Sequence, residues 1–203
     1  VIQLSDALGA YPIFAEFLRD EALAIREDTQ LTAAEDGEKG IILEISDTVT
    51  VAAPVFVSVL RVITQRTGKI GFKTVEALTW DAPLGEFTRL DRFFTDGQPE
   101  DDALIAIAFR LKEGIAENIW KGKVPPEWSG MVEQATSPDL AVLSNFTLAP
   151  GTAPGKAAGL TFHFSPKEIS PEGRPQALTV PLTLFAQWLN ADGRALFGGS
   201  LTP

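Results

Sequence analysis

Cysteine is absent from the 203 residues, and histidine, methionine and tyrosine occur once each. Without cysteine there is no disulfide framework, no thiolate nucleophile and no zinc–thiolate site, whatever the compartment. A Ser-His-Asp triad would have to use His163, the one imidazole, and no Gly-x-Ser-x-Gly elbow is present. Long apolar runs are missing too: nothing approaches the roughly 18 residues of a membrane-spanning helix. Cations are in short supply, 17 Lys and Arg against 27 Asp and Glu. The resulting net charge of −10 repels nucleic-acid phosphates and anionic membrane surfaces. The same charge suits solubility, or attraction of a basic partner.

Phosphate and metal motifs are also lacking. Gly68-Lys69-Ile70-Gly71 has neither the spacing of a phosphate-binding loop nor a helix after it, and no calcium-loop spacing occurs. No cofactor or metal ligand set is therefore assigned. The adjacent carboxylates Asp20-Glu21 and Asp101-Asp102 point in different directions on a helix, and are expected on solvated faces. Trp120, Trp128 and Trp188 follow helical apolar patterns and are expected in or at the edge of the core.

What is present reads as helix, strands, helix, strands, helix. After Tyr11-Pro12, the residues Phe14, Phe17, Leu18, Ala22 and Ile25 recur at helical spacing and predict a helix from 12 to about 33. The turn-rich stretch 35–40 breaks it. Residues 41–45, 55–62 and about 71–80 are dense in β-branched side chains and predict strands, which short connections join into an antiparallel meander. Beyond the loop at 95–99, Ala103, Ile107, Leu111, Ile115 and Ile119 are spaced by four and predict a second long helix, about 100–121, ended by Val124-Pro125-Pro126. A short helix is expected at 127–134. Strands are expected at 145–148, 160–164 and 177–180, the last passing into a C-terminal helix.

The fold class is therefore α+β, antiparallel sheets packed with two long helices and a C-terminal helix. An N-terminal lobe of about 1–95 and a C-terminal lobe of about 96–195 are expected, with 196–203 as a tail. The expected core is Phe14, Phe17, Leu18, Val57, Val59, Phe93, Ile107, Leu111, Leu160, Phe162 and Phe164. Leu160, Phe162 and Phe164 alternate onto one face of their strand, so His163 is expected to point away from the aromatic core and to have no catalytic role.

The segment 159–185, GLTFHFSPKEISPEGRPQALTVPLTLF, separates its two strands by a linker too long for an ordinary hairpin turn. Its Gly159-Leu160-Thr161-Phe162-His163-Phe164-Ser165-Pro166-Lys167-Glu168-Ile169-Ser170-Pro171 run, followed by Gly173, Pro175 and Leu178-Thr179-Val180-Pro181, resembles a family. That family is the extracytoplasmic domain of unknown function shared by the anti-sigma factor RsiV and the peptidoglycan deacetylase PdaC. Its members carry Gly-Leu-x-Phe-x-Phe-x-Pro-Tyr-Glu-Ile-Ala-Pro-Tyr ahead of a Val-x-Val/Ile-Pro strand; here Lys167 replaces the Tyr and Ser170 the Ala. Gly85-Glu86-Phe87-Thr88-Arg89-Leu90-Asp91-Arg92-Phe93-Phe94 is similar to the family's Gly-x-x-x-x-Leu-x-Asp-Leu-Phe, and the likeness extends over about 11–190. The Gly-Gly-Ala-His often found near the third strand has no counterpart at Thr67–Gly71.

The resemblance implies that Phe162, Phe164, Pro166, Glu168, Ile169, Pro171 and Pro181 form a structural signature. It also implies an extracytoplasmic place, in the periplasm or cell envelope; whether a lipid anchor upstream of Val1 holds it there is left open by this sequence. The function implied is a non-catalytic binding or sensing domain that recognises a basic, lysozyme-like protein or peptidoglycan. Two other readings stand beside it: a cell-wall glycan hydrolase, which needs two carboxylates about 5 to 9.5 Å apart across a groove, and a spacer between an anchor and a partner.

Overall fold

The computed structural model describes residues 1–35, 40–68, 70–94 and 99–201. Residues 36–39 of the turn expected at 35–40, Lys69, and residues 95–98 of the loop expected at 95–99 lie outside the described residues, as do the side chains of residues 99–101; Glu35 and Pro99 belong to helices. The fold is α+β. The first helix, α1 (Pro12–Glu35), opens with Pro at its first turn, where the missing N–H costs nothing, and buries Phe14, Leu18 and Ala22 on one stripe. Phe17, expected in the core, is only half-buried, because it lies at the edge of that stripe against Trp80 and Phe87.

Strands β1 (Ile2–Gln3), β2 (Ile41–Ala52), β3 (Phe56–Thr67), β4 (Ile70–Asp81) and β5 (Glu86–Phe87) form one sheet in sequence order. The β2–β3–β4 meander is antiparallel, and only the β1–β2 pair is parallel. Strands β2 and β3 outrun their β-branched cores, since the alternating Ser46–Ala52 and Ile63–Thr67 stretches continue the ladder. Along β3, Val57 and Val59 face α1 with Leu8, Phe14, Leu18 and Trp80, while Phe56 joins a second core on the other face. A bulge between Val49 and Val51 moves Val51 into that second core.

The second sheet, β6 (Phe146–Pro150), β7 (Ala157–Phe164) and β8 (Gln176–Pro181), is antiparallel in the order 6-7-8. Against it lies α2 (Pro99–Gly114), whose Ala103, Ile107 and Leu111 are buried as their spacing predicts. The same core takes Phe93, 5.2 Å from Phe56 and 5.5 Å from Phe197, so it joins residues from both ends of the chain.

The helices end where backbone chemistry ends them. From Ile115 to Ile119 α2 widens into a π turn, with the Trp120 N–H donating to the Ile115 carbonyl, and Lys121 at φ 57° stops it. α3 (Pro126–Ala135) follows. The expected C-terminal helix is instead broken into α4 (Leu182–Phe185), a 3₁₀ turn and α5 (Ala191–Leu196). Leu189 is extended, and Asn190 starts α5 afresh by accepting the Gly193 N–H on its side chain. A Cβ on Gly193 would lie 2.4 Å from the Phe93 carbonyl oxygen, so only glycine fits that approach.

Candidate functional site

Three places in the fold gather polar chemistry. The first is the seam between the sheets. His163 does point away from the aromatic core, but the face it shares is covered, and the residue is only 8% exposed. Its Nε2 pairs with the Thr147 hydroxyl at 2.8 Å, and burial pulls the imidazole down to about 4, which keeps it neutral at pH 7. Thr147 is 1% exposed, so this hydroxyl–imidazole pair has no access for a substrate. Beside it Asn145 accepts the Ala77 N–H and donates to the carbonyls of Val75 and His163, tying β4 to β7. Ser58 pairs with Thr79 and accepts the Leu148 N–H. The seam is a hydrogen-bonded joint between two sheets.

The second place lies under α1. Arg61 is fully buried, in line with Val57 and Val59, and its guanidinium holds Asp47 through two bonds at 2.8 and 3.0 Å. It also donates to Glu21 at 3.0 Å and to the Leu18 carbonyl at 2.7 Å. Glu21, expected on a solvated face, thus turns inward because the sheet presents a cation to the helix. Glu76 stands opposite Arg61 in the β3–β4 register, and burial raises its carboxyl above the usual range although Arg61 opposes the rise. One cation here faces three carboxylates on α1, β2 and β4. The signal in the sequence is an arginine at a core position of an alternating strand, between Val59 and Ile63.

The third place is the signature loop, 165–176. Phe162 and Phe164 are buried, Ile169 is fully so, and Pro181 caps α4. Pro166 is half-buried and Pro171 exposed, at the two bends of the loop. The segment closes on itself: Glu168 accepts the Ser165 N–H at 2.6 Å, the Lys167 N–H reaches the Glu172 carbonyl, and Glu172 holds both Arg174 and Gln176. The π turn of α2 brings Trp120 onto this loop, where its Nε1 donates to the Ile169 carbonyl. Lys167, at the position where the family carries Tyr, is left-handed at φ 68° and exposed. Burial raises the Glu168 carboxyl despite its backbone hydrogen bond.

Beside that loop a cleft of about 380 Å³ is lined by Met131, Gln134, Ala135, Val142 and Glu168. A second hollow, about 250 Å³ and mostly apolar, lies between the β2–β3 turn and α5. Among the described residues no set of three or more His, Cys, Asp or Glu side chains is arranged to hold a metal ion. No described helix is long and apolar enough to cross a membrane.

Neither a family profile nor a curated protein sequence matches this chain. Solved structures do. A DUF3298-family protein from Bacteroides fragilis aligns over 92% of this chain and 70% of its own, at 15% identity and a TM-score of 0.53. A DUF3298-family protein from Pseudomonas aeruginosa aligns over 81% of this chain and 68% of its own, at 14% identity and a TM-score of 0.53. The chain therefore shares its fold with DUF3298-family proteins.

Proposed function

We propose that this chain is a non-catalytic cell-envelope domain of the RsiV-like, DUF3298 type that binds a basic, lysozyme-like protein outside the cytoplasmic membrane. The observation that carries the reading is the shared fold over 92% of the chain, together with the signature segment 159–181 lying within it as a closed loop on Trp120. Two physical facts support it. The acidic surface, net −10, accelerates encounter with a cationic protein. The one imidazole is spent on a sealed hydrogen bond with Thr147.

A retention experiment tests the proposal. The immobilised chain, challenged with lysozyme and separately with soluble peptidoglycan fragments at low salt, is expected to retain lysozyme. Retention of wall fragments with release of shortened glycan would replace the reading by a hydrolase. Retention of neither would leave the spacer reading in its place.

A further inference from the structure

The signature loop leaves one carboxylate incompletely used. Glu168 gives Oε2 to the Ser165 N–H, while its Oε1 has no protein hydrogen bond and the residue no ion pair among the described residues. It forms part of the roughly 380 Å³ cleft whose apolar walls are Met131, 43% exposed, and Val142, 39% exposed. Gln134, on α3 one turn from Met131, adds an amide to the lining. The neighbouring charges are otherwise engaged. Glu133 holds Lys112 of α2, and Asp139 accepts the Ala141 and Val142 N–H groups on one oxygen. Lys167 is exposed and makes no ion pair among the described residues.

We propose that this cleft is a subsite for one lysine or arginine side chain of the basic partner, with the aliphatic stem between Met131 and Val142 and the charged end at Glu168. The inference rests on the binding reading above and gives it a place on the surface. Its chemistry is that of a long cationic side chain, which pairs an apolar stem with a charged head. An exposed ion pair on open surface contributes little. A carboxylate already short of water, as Glu168 is, has more to gain from a cation, and Met131 and Val142 offer the stem apolar contact. The same walls with a neutral or anionic guest would leave Glu168 as it is, so the site discriminates by charge.

Met131 is the sole methionine, so its ε-methyl group gives a single, assigned NMR signal inside the cleft. Butylammonium, a bare lysine head and stem, is titrated against n-butanol, its neutral counterpart. A saturable shift of the Met131 methyl with butylammonium and none with butanol is expected, at millimolar concentration. Glu168→Gln, which keeps an acceptor for the Ser165 N–H, should weaken that binding at least fivefold, and Gln134→Lys, which supplies an internal cation on an exposed helix face, should abolish it. No shift, equal shifts with both probes, or an unaltered shift in Glu168→Gln would overturn the subsite. Lysozyme titrated against the same variants separates the two claims. A working ammonium subsite without a lysozyme complex overturns the partner alone, and a lysozyme complex indifferent to both substitutions overturns the subsite's role in the interface.

Discussion

His163 is held neutral in the fold, and acid is the condition that penalises it. In the unfolded chain the imidazole takes a proton near 6.5, in the fold only near 4, so the stability it protects is present above pH 6.5 and is lost as pH falls through about 4. That difference is on the order of 3 kcal/mol. His163→Gln, which can still bond Thr147, should fold at pH 7 and flatten this acid limb. Thermal melts of both proteins at pH 7 and pH 4.5 check it, and parallel melting curves would show that the acid limb lies elsewhere. Glu76 has the opposite sign. Burial raises its carboxyl, so the fold binds that proton more readily than the unfolded chain and loses the benefit as pH rises through the raised value. Glu76→Gln should therefore raise the melting temperature at pH 7 and change it less at pH 4. Arg61 is the counterion to Glu76, Glu21 and the buried Asp47: Arg61→Met strands Asp47 and should cost about 3 to 5 kcal/mol, read by urea unfolding, whereas pairing it with Asp47→Leu should recover part of that loss.

At the scale of elements, Phe162 sits at 2% exposure between the Phe146 ring and the α2 side of the core. Phe162→Ala removes that contact and leaves a cavity, a loss of about 3 to 5 kcal/mol measurable as a lower denaturant midpoint. Period alone made the principal elements legible: Ala103, Ile107 and Leu111 face inward in α2 as their spacing of four requires, and the β-branched runs became the meander. Two features escaped because they depend on partners distant in sequence. Alternation correctly sent His163 to the face opposite Phe162 and Phe164, but could not reveal that β6 and the first sheet cover that face. Glu21 looked like helix surface until the register set Asp47 opposite Arg61 beneath it. The broken C-terminal helix was decided by Asn190 and the close approach of Gly193 to Phe93, neither of which carries an apolar period.

Over the whole molecule, charge governs how a partner would approach. A surface of net −10 steers a cationic protein over about one Debye length, roughly 10 Å at 0.1 M salt, so association should slow as ionic strength passes that range. Exposed carboxylates at the rim of the interface should then alter the on-rate, and Glu168, in its cleft, the off-rate. Calorimetric titration of the chain with lysozyme at two salt concentrations reads out that encounter and the complex it forms. A saturable heat at low salt and a weaker complex at high salt are expected; no heat and no complex at low salt would rule out a lysozyme-like partner.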